Sequence, residues 1–139
     1  MGQHVELEIP PRSDHLARVR LAVQTAASVD GHVPEPRVDD LRLAVSEACA
    51  NAFDAHEAVG SEAPVLVAID VDEDQIAVTV TDRAGGFDVD DLAPIPSVTD
   101  PLRLRHERGL GIPLMRALVD EVTFTRTADG TAVRVVVRA

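Results

Sequence analysis

The sequence predicts a two-layer α/β sandwich of the α+β kind, with a mostly antiparallel mixed sheet covered on one face by helices. Three observations lead there. Short β-rich stretches come in adjacent pairs joined by acidic or glycine turns, VLVAIDV with QIAVTVT and VTFTRT with TAVRVVVR, the pattern of hairpins rather than of strands separated by crossover helices. Two longer stretches instead repeat apolar residues every three or four positions, as helices that bury one stripe do. Hydrophobic residues make up 45% of the chain but aromatic ones only 2%, so Val, Leu, Ile and Ala must fill the core, which suits a sheet packed under helices.

Taken in order, Val5, Leu7 and Ile9 alternate with Glu6 and Glu8 over His4 to Ile9, the period of a half-buried strand, and Pro10-Pro11 ends it. Ser13 is expected to cap a first helix whose apolar stripe is Leu16, Val19, Val23, Ala26 and Ala27, with Arg18 and Arg20 toward water and Gly31 at its end. Pro34 and Pro36 break the chain before the longest helix, expected from about Arg37 to Val59 with Gly60 closing it. Val65 to Val71 and Gln75 to Thr81 form a hairpin about Asp72-Glu73-Asp74. From Asp82 to Gly111 periodicity is lost among glycines, prolines and arginines, and irregular stretches of this length in small domains are usually functional. A helix from about Ile112, with Pro113 in its first turn, precedes a second hairpin, Val122 to Thr127 and Thr131 to Arg138, about Asp129-Gly130.

The 139 residues leave room for one domain, spanning 1–139. A formal net charge of -11 argues against a nucleic-acid surface, which needs cations to neutralise phosphates. All basic residues are Arg, read as compositional bias before any preference for bidentate anion contacts. Cys49 is the single cysteine; among alanines on a helix it reads as a buried small hydrophobe rather than a nucleophile. The first residues show no basic start leading into an apolar run, and no run of 18 apolar residues occurs, so a cytoplasmic protein without a membrane anchor is expected.

Three groups of residues could carry chemistry. Glu47, Asn51 and Asp54 fall at i, i+4 and i+7 on the long helix, within an arc of roughly 60°. A carboxylate and a carboxamide one turn apart suit a general base beside a hard-cation ligand, although a polar helix face has the same pattern. Asp82-Arg83-Ala84-Gly85-Gly86-Phe87 directly follows a strand; there an Asp can accept from an exocyclic amine while glycine lets a flat ring approach, or the segment is an ordinary turn. Arg108-Gly109-Leu110-Gly111 leads into a helix whose free N–H groups would favour a phosphate, with Arg103, Arg105 and Arg108 adding local positive charge. It lacks the third glycine of a dinucleotide fingerprint and the Gly-Lys-Ser/Thr of a Walker loop. The five histidines, His56 among them, show no metal spacing, and Ser46 and Ser97 show no His-Asp partnership, so these residues are expected merely to solvate the surface.

In this order and over nearly the whole chain, SEACANAFDAH, DRAGGFD and RGLGI resemble the boxes of the GHKL ATPase superfamily. The closest likeness is to its free-standing anti-sigma-factor serine/threonine kinases, which implies the Bergerat ATP-binding fold. The resemblance makes Glu47 the general base and Asn51 the Mg²⁺ ligand. It gives Asp82 the adenine amine and Gly86 the pocket, and Gly109, Leu110 and Gly111 the phosphates beside Arg105 and Arg108, with residues 88–108 as the lid. Thr131 would sit near the adenine.

Two positions depart from the pattern. Ala84 adds a methyl where glycine is usual, and Ala55 stands where the kinases often have His, with His56 following; Asp54 instead matches the Asn-x-x-Asp of the gyrase and chaperone branches. The resemblance implies ATP and Mg²⁺ as cofactors, an anti-sigma antagonist as the phosphorylated substrate, a sequestered sigma factor as the other partner, and a homodimer. A nucleotide-binding switch without catalysis is the alternative, and an acidic structural domain without ligand a third reading.

Overall fold

The computed structural model describes residues 2–30, 32–85 and 111–139. Its strands are β1 (Gln3–Ile9), β2 (Val65–Val71), β3 (Gln75–Thr81), β4 (Glu121–Arg126) and β5 (Thr131–Arg138), and its helices α1 (Leu16–Asp30), α2 (Glu35–Val59) and α3 (Gly111–Leu118). The strands form one sheet in the order β1-β2-β3-β5-β4. Every pairing between them is antiparallel, so the sheet contains no parallel pair among the described strands.

Each hairpin is closed by chemistry local to its turn. Asp72 Oδ1 accepts from the N–H of Asp74 at 2.7 Å and of Gln75 at 2.9 Å, an Asx turn that holds β2 and β3 at their closed end. In the second hairpin Gly130 N–H donates to Thr127 Oγ1 at 2.9 Å, while Thr127 N–H donates to Gly130 O at 2.9 Å. Register then follows from the pleat: Val67 faces Val80, and Val78 faces Val135. A shift of one residue would turn all these valines out of the core.

One face of the sheet carries Ile9, Val65, Val67, Ile69, Val78 and Val135, all with 0% exposure. Against it pack Val19 and Val23 of α1, Leu41, Val45 and Cys49 of α2, and Met115 of α3. Each large apolar side chain so buried contributes roughly 1.5–3 kcal/mol. The opposite face alternates to polar residues, with His4, Glu6, Glu8 and Asp70 exposed, around Ala77 and Val136, which are buried and opposed in register. Among the described residues no helix is long and apolar enough to cross a membrane.

The helix starts differ from expectation. Ser13 does not cap α1: it begins a 3-10 turn, Ser13–His15, whose N-cap is Arg12 with no side-chain capping bond. Helix α2 starts at Glu35, two residues early, because Pro36 lies within its first turn, where the missing N–H is no loss and the fixed φ suits a helix. Its end is as expected, with Gly60 at φ 68° in the left-handed region.

Candidate functional site

Helix α2 brings Glu47, Asn51 and Asp54 to one side, all half-buried, while Ala48, Cys49, Ala52 and Phe53 of the same turns point into the core. Glu47 lies in a groove of about 420 Å³ between α1 and α2, with Leu16, Arg20, Arg42, Leu43 and Ser46 among its walls. Among the described residues no three His, Cys, Asp or Glu side chains converge as a metal site. A hard cation would therefore need oxygens from a ligand as well as from Asn51.

Asp82 leaves the end of β3 and is 6% exposed. Its backbone N–H donates to Thr131 O at 2.9 Å, extending the β3–β5 ladder by one rung. Its Oδ1 accepts from Thr131 N–H at 3.2 Å and from Ala84 N–H at 3.1 Å. These bonds between described residues fall on one carboxylate oxygen, which fixes the group and leaves Oδ2 as the oxygen suited to accept from a ligand amine. Next to it the hydroxyl of Thr131, a residue 5% exposed, is buried without a hydrogen-bond partner among the described residues. Buried hydroxyls are rarely left so, and a polar ring edge beside Asp82 would complete it. The residues present thus fit an aminated heterocycle.

Gly130 is required by close approach. A Cβ there would lie 2.2 Å from Asp82 O and 2.3 Å from Asp82 Oδ1, so only glycine lets the β4–β5 turn rest on Asp82. The turn after Asp82 is tied at every step: Arg83 N–H donates to His56 Nε2 at 2.9 Å, and Gly85 N–H to Asp129 O at 2.8 Å. Gly85 has φ 89°, while no residue other than glycine has positive φ among those described. The methyl of Ala84 therefore sits at a backbone position any residue can adopt, and the departure from the glycine pattern introduces no strain.

The structure thus joins Asp82 to Thr131 and, through Arg83, to α2. Gly111 opens α3, which packs against α2. Gly86, Arg105, Arg108, Gly109 and Leu110, with the expected lid over 88–108, lie outside the described residues.

Two features were not anticipated. His56, expected at the surface, is 0% exposed. The signal was present, since His56 follows Ala52 by four residues and Cys49 by seven and so continues the buried stripe. Arg37, at the start of α2, donates to Leu118 O at 2.8 Å and to Asp120 Oδ2 at 2.9 Å, tying α2 to the end of α3. That pairing spans more than 80 residues, and nothing in the local sequence announces it. The Arg138 backbone N–H first, and Arg37 second, hold the Asp120 carboxyl below the usual carboxylate range.

Comparison with known proteins agrees with this fold. The histidine kinase-like ATPase domain family matches residues 9–137. The serine-protein kinase RsbW of Bacillus pumilus (strain SAFR-032) is 37% identical over 124 residues, covering 85% of this chain and 75% of that protein. The serine-protein kinase RsbW of Bacillus subtilis (strain 168) is 36% identical over 127 residues, covering 87% of this chain and 77% of the other. The solved structure of the RsbU and RsbW domains of Rv1364c from Mycobacterium tuberculosis superposes with a TM-score of 0.69 at 18% identity over 98% of this chain and 32% of that longer one, a likeness of fold. The chain belongs to the histidine kinase-like ATPase domain family, among its RsbW-like serine-protein kinases.

Proposed function

We propose that this chain is an ATP-dependent protein serine/threonine kinase that phosphorylates an anti-sigma antagonist and sequesters a sigma factor. The observation that carries the nucleotide part is the pairing of a braced, buried Asp82 carboxylate with the unpartnered Thr131 hydroxyl. Asp82 accepts the adenine amine, Thr131 meets the ring edge, and Gly86 shapes the pocket wall. Asn51 holds Mg²⁺ through its carboxamide oxygen, and the segment with Arg105, Arg108, Gly109, Leu110 and Gly111 receives the phosphates. ATP supplies the γ-phosphoryl group, and positioning and charge neutralisation do most of the work in its transfer.

Glu47 accepts the proton of a Ser or Thr hydroxyl as the new O–P bond forms and the bond to the β-phosphate oxygen breaks. Its groove supports a protein as the hydroxyl donor. Leu16 and Leu43 offer apolar contact there, and Arg20 and Arg42 offer cationic contact. The chain acts in the cytoplasm as one domain, and as a homodimer.

Incubation of the full chain with γ-labelled ATP, Mg²⁺ and a cognate antagonist tests this. The wild type is expected to label the antagonist on Ser or Thr. Glu47→Ala should lower the rate by about 100-fold or more, the usual contribution of a positioned base, while still binding ATP. Equally low labelling by both proteins, with ATP binding intact, would leave a nucleotide-binding switch instead of a kinase.

A further inference from the structure

His56 is a fully buried titratable side chain with no part in the scheme above, and it is satisfied on one ring nitrogen only. Nε2 accepts the Arg83 N–H at 2.9 Å, so the ring is neutral and its proton resides on Nδ1. Nδ1 is buried and without a hydrogen-bond partner among the described residues. A leucine on this stripe would fill the space without burying an orphan donor. Histidine differs from it in the acceptor that Nε2 presents.

That acceptor is aimed at one peptide unit. The Arg83 N–H is part of the peptide that also carries the Asp82 carbonyl, so fixing it fixes ψ of Asp82. The bond from Asp82 N–H to Thr131 O fixes the other side of the same residue. The end of α2 grips this strand exit a second time. Ser61 N–H donates to His56 O at 2.9 Å, and Ser61 Oγ donates to Arg83 O at 3.4 Å. Asp82 is thereby held from two layers, by β5 within the sheet and by α2 above it.

We propose that His56 is a positioning residue of the nucleotide site. Its Nε2 sets the direction of the Asp82 carboxylate relative to the helix that bears Glu47 and Asn51. The proposal rests on the reading of Asp82 as the acceptor for the adenine amine.

The test compares wild type, His56→Leu and His56→Gln as full chains. It measures Mg-ATP affinity by calorimetry, kcat at saturating ATP and thermal unfolding, and reads the ring tautomer from ¹⁵N shifts of the wild-type histidine. Gln can place Oε1 near the position of Nε2 and accept from Arg83; Leu cannot. His56→Leu should weaken ATP binding about tenfold, the effect of one lost buried hydrogen bond, with kcat within about threefold. His56→Gln should recover affinity to within about threefold of wild type, and the tautomer should carry its proton on Nδ1.

A leucine variant that binds ATP as tightly as wild type overturns the proposal, as does a proton found on Nε2. So does a glutamine variant as weak as the leucine one. Should the leucine variant fail to fold, glutamine and the tautomer decide alone by the same limits. A wild type that takes up no nucleotide would sink the reading of the site and this role with it. A binding wild type with an indifferent leucine variant sinks this role only.

Discussion

At the scale of single residues the site depends on what is missing from a side chain as much as on what is present. Gly130 lies so close to Asp82 that any Cβ would overlap the carbonyl and the carboxylate oxygen together. Both of these belong to atoms held by the sheet, so the strain cannot be relieved by turning a flexible side chain. Gly130→Ala should therefore destabilise the fold by about 1–3 kcal/mol, the usual range for overpacking, and weaken ATP binding more than a comparably destabilising substitution in the α1 stripe such as Val23→Ala. Denaturant titration beside calorimetry checks this; equal binding losses for the two would show that Gly130 acts through stability alone. Cys49 makes the opposite case, a residue whose chemistry is silenced by its place. Burial pushes its thiol up to about 12, so almost no thiolate, the reactive form, exists near neutrality. Iodoacetamide should leave Cys49 unmodified in the folded chain between about pH 7 and pH 9 and alkylate it readily in denaturant. Comparable rates in both conditions would contradict that.

Among elements, α3 is short, eight residues from Gly111 to Leu118, and a helix of this length is not stable by itself. It is fixed by Met115 in the core and by Arg37, whose guanidinium spans the Leu118 carbonyl, Asp120 and Asp40. Arg37 and Asp120 are 32% and 36% exposed at the side chain, so water screens the pair and Arg37→Ala should cost only about 1 kcal/mol. The sign of its pH dependence follows from Asp120, whose carboxyl is held down by the Arg138 backbone N–H first and by Arg37 second. A lowered folded value means that this stabilisation is fully present above the unfolded carboxylate value of about 3.9 and is lost as pH falls through the folded one. Wild type and Asp120→Asn should therefore differ in urea unfolding at neutral pH and converge in acid; a gap that persists there would refute the assignment. The hairpins on either side of this clamp were legible from sequence, since period-two alternation and a turn of Asp or Gly are local signals. The order of motifs singles out Asp82, Thr131 and Glu47, of which the structure brings Asp82 and Thr131 together, and the alanine neighbours of Cys49 announce its burial. The start of α2 precedes the expected one because Pro36, a break within a helix, is an acceptable first-turn residue. The burial of His56 was legible in the α2 stripe, but its bond to Arg83 and the Arg37 clamp to Asp120 were not, because these partners lie 27 and 83 positions away and hydrogen bonding at that range depends on the finished fold.

For the molecule as a whole, the sheet makes the site a property of complete folding. Asp82 and Thr131 are 49 positions apart, and they meet only when β3 and β5 are paired. The peptide after Asp82 is held only when α2 has packed across that sheet, so an unfolded or partly folded chain has no means of presenting the carboxylate to a ligand. Nucleotide must then bind the native state and not the unfolded one, and mass action converts affinity into stability. At an ATP concentration of about 100 times Kd the gain is about 2.7 kcal/mol, which for a domain of this size is a rise in Tm of roughly 8 °C. The two halves of the proposed site should separate in this measurement. Asp82→Ala removes the acceptor that ATP and ADP would share, and should abolish the Mg-dependent shift for both. Glu47→Ala removes a group that faces the α1–α2 groove and that, in the proposed scheme, takes part only in transfer to a hydroxyl, so its shift with ADP should match that of wild type. Thermal unfolding of the three proteins with and without Mg-ADP decides it: a shift kept by Asp82→Ala and lost by Glu47→Ala would place the nucleotide in the α1–α2 groove and not at the end of β3.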